Sequence, residues 1–367
     1  MKKRLFSLLL VSALVFTLSG CGEKSLLRES DPVTLNFWHV YGEQSGSPMD
    51  LLVQEFNRTV GQEKGVRVQV TNLSSASKIG GFLKEAQKGG RDAPEMPDLF
   101  TCHISDATAL GSDNLVDWNA RFTAEELSNF VPGFLADGMT EDGTLLLFPI
   151  SKSTQLLMCN GSGFARSLAQ GHVVVSDLYS NTQVMTGDVL SGLGSSAAIL
   201  YYNDTVTYRD GTQEPMDLHV LPMPKTAGAD ALMTQAGVGL CAYKTTDQKA
   251  EAAALFVRWL TENGRNLDFV AQTGYMPVRN GAFDAIENYD KFPEPTESYR
   301  QLYAALKIMQ ESYTPLSEPR FEGYYGKVSQ LYDGLRQMQQ KLPARAAAGE
   351  SIDTLAEETW ALLCAIH

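Results

Sequence analysis

The chain has 367 residues, 44% hydrophobic and 20% charged, enough for two domains with sizeable cores and unlike a disordered or low-complexity protein. Its net charge of −13 argues against nucleic acid or an anionic membrane surface as the main partner.

Lys2, Lys3 and Arg4 precede an apolar run from Leu5 to Leu18, the pattern of a signal peptide over residues 1–20. The run is too short to span a bilayer comfortably. It closes in Leu18-Ser19-Gly20-Cys21, which looks like a bacterial lipobox and makes Cys21 the candidate lipidation site. Residues 21–32 then read as a lipidated cysteine and a polar tether. Cys102, Cys159 and Cys241 each sit in an apolar stretch, and no two cysteines have C-x-x-C spacing. Small buried hydrophobes are therefore preferred to disulfide partners for them, and Cys364 is the remaining one.

The alternating β-formers of Val33 to Tyr41 predict a strand. Pro48 to Thr59 predicts a helix with Leu51, Leu52, Phe56 and Val60 on its inner face. Gly65 to Leu73 predicts a strand, Gly80 to Lys88 a helix stopped by two glycines, and Pro97 to Cys102 a third strand. This β-α-β-α-β order implies an open, largely parallel sheet with helices on both faces, an α/β fold. Further strands are expected at Val173–Leu178, Leu218–Met223 and Gly237–Tyr243. Asp188 to Tyr202 carries many small residues before an apolar Ile199-Leu200-Tyr201-Tyr202. Thr246 opens a strong helix to Glu262, with a core stripe through Ala250, Ala253, Ala254, Val257 and Leu260 and a stop at Asn263-Gly264. Helices are expected at Glu297–Gln310, Tyr324–Lys341 and Ile352–Ile366.

Catalytic motifs are missing: no H-E-x-x-H, G-x-S-x-G or Walker A run occurs, and none of the five histidines has a ligand-spaced partner. Neither an enzyme, a metal site nor a cofactor is expected. Gly192 to Ala197 matches G-x-G-x-x-A but lacks the βαβ context of a dinucleotide site, so close backbone approach and exposed hydroxyls are preferred. Candidate ligand residues form another set. Trp38 and Tyr41 end the first strand, where open α/β sheets place ligands. Ser151 and Ser153 follow a strand and a proline, Gly237 lies in TQAGVGL, Tyr275 in TGYMPV and Arg320 in EPRFEGYYG. Lys152 and the helical tyrosines have plainer readings, as a solvated charge and as core. Aromatic faces with hydroxyl and guanidinium groups suit a sugar or polyol.

The lipobox with its tether, LNFWHVYG, LLFPISKSTQLLMCN, QAGVGLCAYKTTDQKAEAAALFVRWLT with TGYMPV, and PLSEPRFEGYYG together resemble the extracellular solute-binding proteins of ABC importers, in their maltose- and glycerol-3-phosphate-binding branch. The resemblance implies two α/β lobes of the type II periplasmic-binding-protein fold, a hinge, and a ligand in the cleft between the lobes. It implies lobes of 33–150 with 238–314, and of 155–236 with 316–367, crossed near 150–154, 236–239 and 315–319. By motif position it adds Ser195 and Ser196 to the ligand set, with Ser153, Gly237, Tyr275 and Arg320. It also implies a carbohydrate or polyol-phosphate ligand, a permease as partner, a lipid anchor outside the cytoplasm and a monomer. The acidic contact expected after PDLFTCH and an aromatic near Ser77 are absent, which leaves a sugar at least as fitting as glycerol-3-phosphate.

Asn160-Gly161-Ser162-Gly163 is good turn chemistry. In the family, several tens of residues normally stand between this point and the segment like FARSLAQGHVVV. The second lobe is therefore expected to be shortened near 160–164, and a degraded lipoprotein that keeps the fold without binding is the competing reading.

Overall fold

The structure, a computed structural model, describes residues 25–42, 46–72, 76–160, 179–225, 228, 230–321 and 324–350. Cys21, Gly161 to Gly163, the expected strand Val173–Leu178 and the expected helix Ile352–Ile366 lie outside the described residues.

The first half follows the predicted alternation. Strand β1 (Val33–His39) is followed by helices α1 (Pro48–Arg58) and α2 (Val60–Lys64), β2 (Val66–Asn72), α3 (Ala76–Lys88), β3 (Leu99–Cys102) and α4 (Ile104–Leu110). β1 pairs in parallel with both β2 and β3. Ser47 starts α1 by accepting the Asp50 N–H, with Pro48 in the first turn. The buried stripe of α1 is Met49, Val53 and Phe56. Leu51, expected inside, is 54% exposed, because the 3.6-residue period carries it away from Val53 and Phe56. Short helices α5 (Ala124–Ser128) and α6 (Pro132–Asp137) lead to the first crossing.

A second sheet is formed by β4 (Gln155–Asn160), β5 (Ser191–Ser195) and, further on, β8 (Leu218–Leu221), in the order β5-β4-β8 and antiparallel throughout. Helix α7 (Ser180–Met185) precedes β5, and the β6 (Thr205–Thr207) and β7 (Gln213–Pro215) ribbon precedes β8. After β9 (Leu232–Gln235) the chain returns to the first sheet. There β10 (Gly239–Ala242) pairs antiparallel to β3, completing the order β10-β3-β1-β2.

Helix α8 (Asp247–Leu260) carries the expected stripe against β1. Asn263-Gly264, read as its stop, instead opens α9 (Asn263–Thr273). Thr261 has already closed α8, and Glu262 stands as the cap before α9. Helices α10 (Asn280–Ala285) and α11 (Thr296–Ser312), strand β11 (Thr314–Ser317) and helix α12 (Tyr324–Ala347) complete the described chain. β11 runs parallel to β9. Helix α11 lies within the stretch assigned by sequence to the first lobe, yet it packs on β8 of the second sheet, where the Gln301 amide oxygen accepts the Val220 N–H at 3.1 Å.

The first sheet is buried on both faces. One carries Leu35, Phe37, Leu240 and Ala242 against α1 and α8, and the other carries Trp38, Phe100, Cys102 and Cys241 against Ile79 and Leu83 of α3. Among the described residues, the second sheet is covered on one face. A Cβ at Gly192 would meet Ser180 and Val184 of α7. Leu193 and Leu221 both pair with position 157, so they share the opposite face, and they are 52% and 38% exposed.

Candidate functional site

Three short backbone pairings stitch the crossings together. Lys152 and Met276 bond to each other through main-chain N–H and C=O, and so do Ser153 and Ala236. The Ser196 N–H donates to the Thr154 carbonyl at 2.8 Å. Buried Asn266 braces this join, donating from Nδ2 to the Ile150 carbonyl at 2.7 Å and accepting the Val278 N–H at 3.0 Å.

These pairings bring hydroxyls together. The Ser153 Oγ lies 2.6 Å from Ser195 Oγ and 3.4 Å from Ser196 Oγ. Ser195 also accepts the Ala197 N–H, which starts the tight turn of helix over Ser196–Tyr201. Because Gly192 to Ser195 is itself a strand with a 3-10 turn after it, the G-x-G-x-x-A run does not open a dinucleotide-binding helix. Nearby, Tyr41 is buried with its hydroxyl 3.1 Å from Ser151 Oγ. Its ring meets Tyr275 edge-on at 6.2 Å and Phe269 at 5.1 Å. Burial, with the neighbouring Tyr275, raises the Tyr41 phenol far above its ordinary range despite the Ser151 hydrogen bond, so it stays a neutral hydroxyl.

Supporting groups fix this arrangement. His39 accepts the Tyr41 N–H at Nδ1, which leaves Nε2 to donate to Asp50 at 2.8 Å. Burial lowers the His39 pKa against the opposing pull of Asp50. The Tyr303 hydroxyl donates to the Val270 and Tyr275 carbonyls at 2.7 and 3.1 Å, holding the Tyr275 backbone. Gly274 ends α9 with φ +68, and a Cβ there would come within 3.0 Å of Ser196 O and closer still to Ala197 and Ile199. Gly237 has φ +106, a conformation that only glycine adopts freely, directly after the Ala236–Ser153 pairing.

Seven of the sequence candidates are thus near neighbours along linked segments: Tyr41, Ser151, Ser153, Ser195, Ser196, Gly237 and Tyr275. Two do not join this cluster directly. Trp38 is buried among Ile79, Leu83 and Phe100, because strand alternation turns it to the sheet face opposite Phe37 and His39. Arg320 spreads its guanidinium over the carbonyls of Ala136, Asp137 and Met139 at the end of α6.

Lys152, read from sequence as a solvated charge, is 1% exposed and donates to the buried Asp137 carboxylate. Neither residue was expected to pair, because their 15-residue separation carries no local signal. His103 faces the same pair and stands 3.8 Å from Glu318. Its pKa falls to about 4, first through burial and then through the Lys152 cation, with Asp137 opposing. Asp106, beyond the PDLFTCH segment, lies so close to Gly80 of α3 that a Cβ there would collide with its carboxylate. Burial raises its pKa.

A cavity of about 470 Å³ opens between α11 and the segment before it, lined by Ile286, Tyr289, Phe292, Arg300, Tyr303 and Lys307. Tyr303 connects it to the hydroxyl cluster. Among the described residues there is no group of three potential metal ligands.

The fold and these contacts can be set beside known proteins. Residues 164–294 match the family model described as bacterial extracellular solute-binding protein. A search of the curated proteins finds no match. Among solved structures, the cyclic alpha-maltosyl-1,6-maltose binding protein from Arthrobacter globiformis has a TM-score of 0.63 and 14% identity over 92% of this chain and 99% of that one. UgpB from Mycobacterium tuberculosis, in complex with glycerophosphocholine, has a TM-score of 0.62 and 16% identity over 90% of this chain and 98% of that one. The sugar-binding protein MalE from Xanthomonas citri has a TM-score of 0.60 and 13% identity over 89% and 95%. The chain has the two-lobe α/β fold of solute-binding proteins, and over residues 164–294 its sequence matches the bacterial extracellular family.

Proposed function

We propose that the protein is the solute-binding receptor of an ABC importer, holding a carbohydrate between its lobes and handing it to the permease without covalent chemistry. The observation that carries this reading is the cluster of Tyr41, Ser151, Ser153, Ser195, Ser196 and Tyr275 at the paired crossings. It offers neutral hydroxyls beside aromatic edges, the combination that binds sugar hydroxyls and C–H faces. The Thr154 hydroxyl and the Gln235 amide oxygen flank the same pairing, buried and with no hydrogen-bond partner among the described residues. Solved structures of similar fold bind maltose-type sugars or glycerophosphocholine, which supports the ligand class.

An uncharged sugar or oligosaccharide fits better than a polyol phosphate such as glycerol-3-phosphate. A phosphate needs a cation or a fan of N–H donors. Among the described residues, the cations seen at the crossings are committed, Lys152 to Asp137 and Arg320 to the α6 carbonyls. Closure of the lobes on ligand is a hinge motion. We assign residues 1–20 to a signal peptide and Cys21 to lipid attachment, anchoring a monomer outside the cytoplasm. Among the described residues no helix is long and apolar enough to cross a membrane.

A degraded form that keeps the fold without binding has one specific support, the exposure of Leu193 and Leu221 on one face of the second sheet. Thermal melting with a panel of sugars, oligosaccharides and glycerol phosphates separates the two. A sugar at a hundredfold excess over its dissociation constant adds roughly 2.7 kcal/mol and raises the midpoint. Ser153→Ala and Tyr275→Ala are expected to remove that shift, whereas Arg320→Ala lowers the ligand-free midpoint. A sharp melt indifferent to every ligand supports the degraded form.

A further inference from the structure

Strands β3 and β10 bring two thiols together in the core of the first lobe. The register pairs Cys102 with Gly239 and Cys241 with Phe100, so the cysteines are diagonal neighbours on one sheet face. Their sulfurs lie 3.7 Å apart, and both residues are fully buried. The Cys241 thiol also donates to the Leu146 carbonyl at 3.0 Å. A disulfide needs about 2.05 Å between sulfurs, so they must approach by less than 2 Å; diagonal neighbours sit roughly 7 Å apart at Cα, so closing the bond draws β3 and β10 slightly together as well as turning the side chains. The proposal rests on the leader assigned above, which would carry the chain to a compartment outside the cytoplasm, and such compartments are where disulfides form and persist.

We propose that Cys102 and Cys241 are joined by a disulfide in the exported protein. One thiolate attacks a disulfide oxidant, either glutathione disulfide or a protein disulfide, forming a mixed disulfide and releasing one thiol. The second cysteine's thiolate attacks the first cysteine's sulfur in that mixed disulfide, forms the Cys102–Cys241 bond and releases the oxidant's second thiol. Two electrons and two protons thereby pass to the oxidant. The reaction occurs while β10 docks, since the finished core seals both sulfurs and burial pushes the Cys102 thiol well above its ordinary pKa.

The bond has a structural consequence. β10 is the strand with which the chain returns from the second sheet, and 139 positions separate the two cysteines. A covalent tie there closes the loop that contains β4 to β9. The first lobe then stays assembled when the second one frays.

The test uses the full chain, exported by a bacterial host, quenched with an alkylating agent in denaturant and mapped without reduction. The expected product is a Cys102 peptide linked to a Cys241 peptide, lighter by two hydrogens than the reduced pair. Alkylation of both thiols, or a bridge to Cys159 or Cys364, overturns the proposal. A second arm does not depend on export: the reduced chain is unfolded and refolded with oxidised and reduced glutathione. The same bridge is expected, with a melting midpoint higher by roughly 5 °C than that of the reduced protein. Refolded protein that keeps both thiols overturns the proposal, and equal midpoints overturn the stapling role. Cys241→Ala should melt like the reduced wild type, and the reduced wild type itself gives the comparison if that variant folds poorly.

Discussion

Every residue of β3 and β10 is buried, whereas β5 and β8 leave Leu193 and Leu221 open on one face of their sheet. Both sheets obey the same pairing rules, and they differ in cover. The first has α1 and α8 on one side and α3 on the other. The second has α7 and α11 near its closed face. Two leucines facing solvent are a cost that sheets normally avoid. Among the described residues, nothing lies over Leu193 and Leu221 as α1, α3 and α8 lie over the first sheet. A loss of residues near 160–164 is the proposal that the variants below put to the test.

The join between the sheets carries the largest effects. Breaking the Lys152–Asp137 pair strands a charge in the core, and Lys152→Met or Asp137→Leu alone should each cost about 3–5 kcal/mol in urea unfolding. The double variant should recover most of that loss, because well-packed apolar groups replace a buried pair with little net penalty. Single variants within about 1 kcal/mol of wild type would show that water reaches the pair, and that the join is as open as the second sheet.

Acid should act at the same join. The folded His103 titrates at about 4, below its ordinary value of 6.5, so the unfolded chain binds the proton more readily. The stability it contributes is therefore intact above pH 6.5 and is lost as pH falls from there toward 4. The loss should reach roughly 3 kcal/mol across that window. His103→Gln should flatten this part of the profile, while carboxylates that titrate in the same range remain. Identical wild-type and variant slopes between pH 6.5 and 4 would remove His103 from the explanation.

Much of this was legible in sequence where a local period or a turn rule applies. The β-α-β-α-β alternation gave the parallel core, and the stripe through Ala250 and Val257 gave α8. Rules with two valid readings failed. Asn263-Gly264 stops a helix by composition, but here Thr261 had already stopped it. The long apolar composition of α1 hid which face is inner, since Met49, Leu51, Leu52 and Val53 are all apolar. The serines were found by motif position and are held together by crossings that the motifs also marked. The charge network was invisible because Asp137, Lys152, His103 and Arg320 meet through tertiary contacts only. An arginine in a Pro-Gly segment looks the same whether it meets a ligand or three carbonyls.

Gly237 tests the site with a smaller change. A Cβ there would stay 3.8 Å from the Ser153 N, so alanine meets no clash and the cost is backbone alone. Gly237→Ala should destabilise by roughly 1–2 kcal/mol, the penalty of a left-handed L-residue, and should weaken ligand binding by shifting the Ala236–Ser153 pairing. A variant with unchanged melting would mean that the segment relaxes to negative φ, and that the crossing is less fixed than its hydrogen bonds imply.

The smallest effect on stability is also the most direct test of the contrast between the sheets. Leu193 and Leu221 are exposed, so Leu193→Ser and Leu221→Ser should each change unfolding free energy by no more than about 0.5 kcal/mol. The matched change in the first sheet, Leu240→Ala, removes a side chain with no exposure and should cost about 2–5 kcal/mol. The serine variants should also bind less of a dye that reports exposed apolar surface, and self-associate less at high concentration. If they instead destabilise like Leu240→Ala, the face is covered in solution. The second lobe would then have found another way to bury its leucines, and the loss of residues near 160–164 would no longer be needed to explain them.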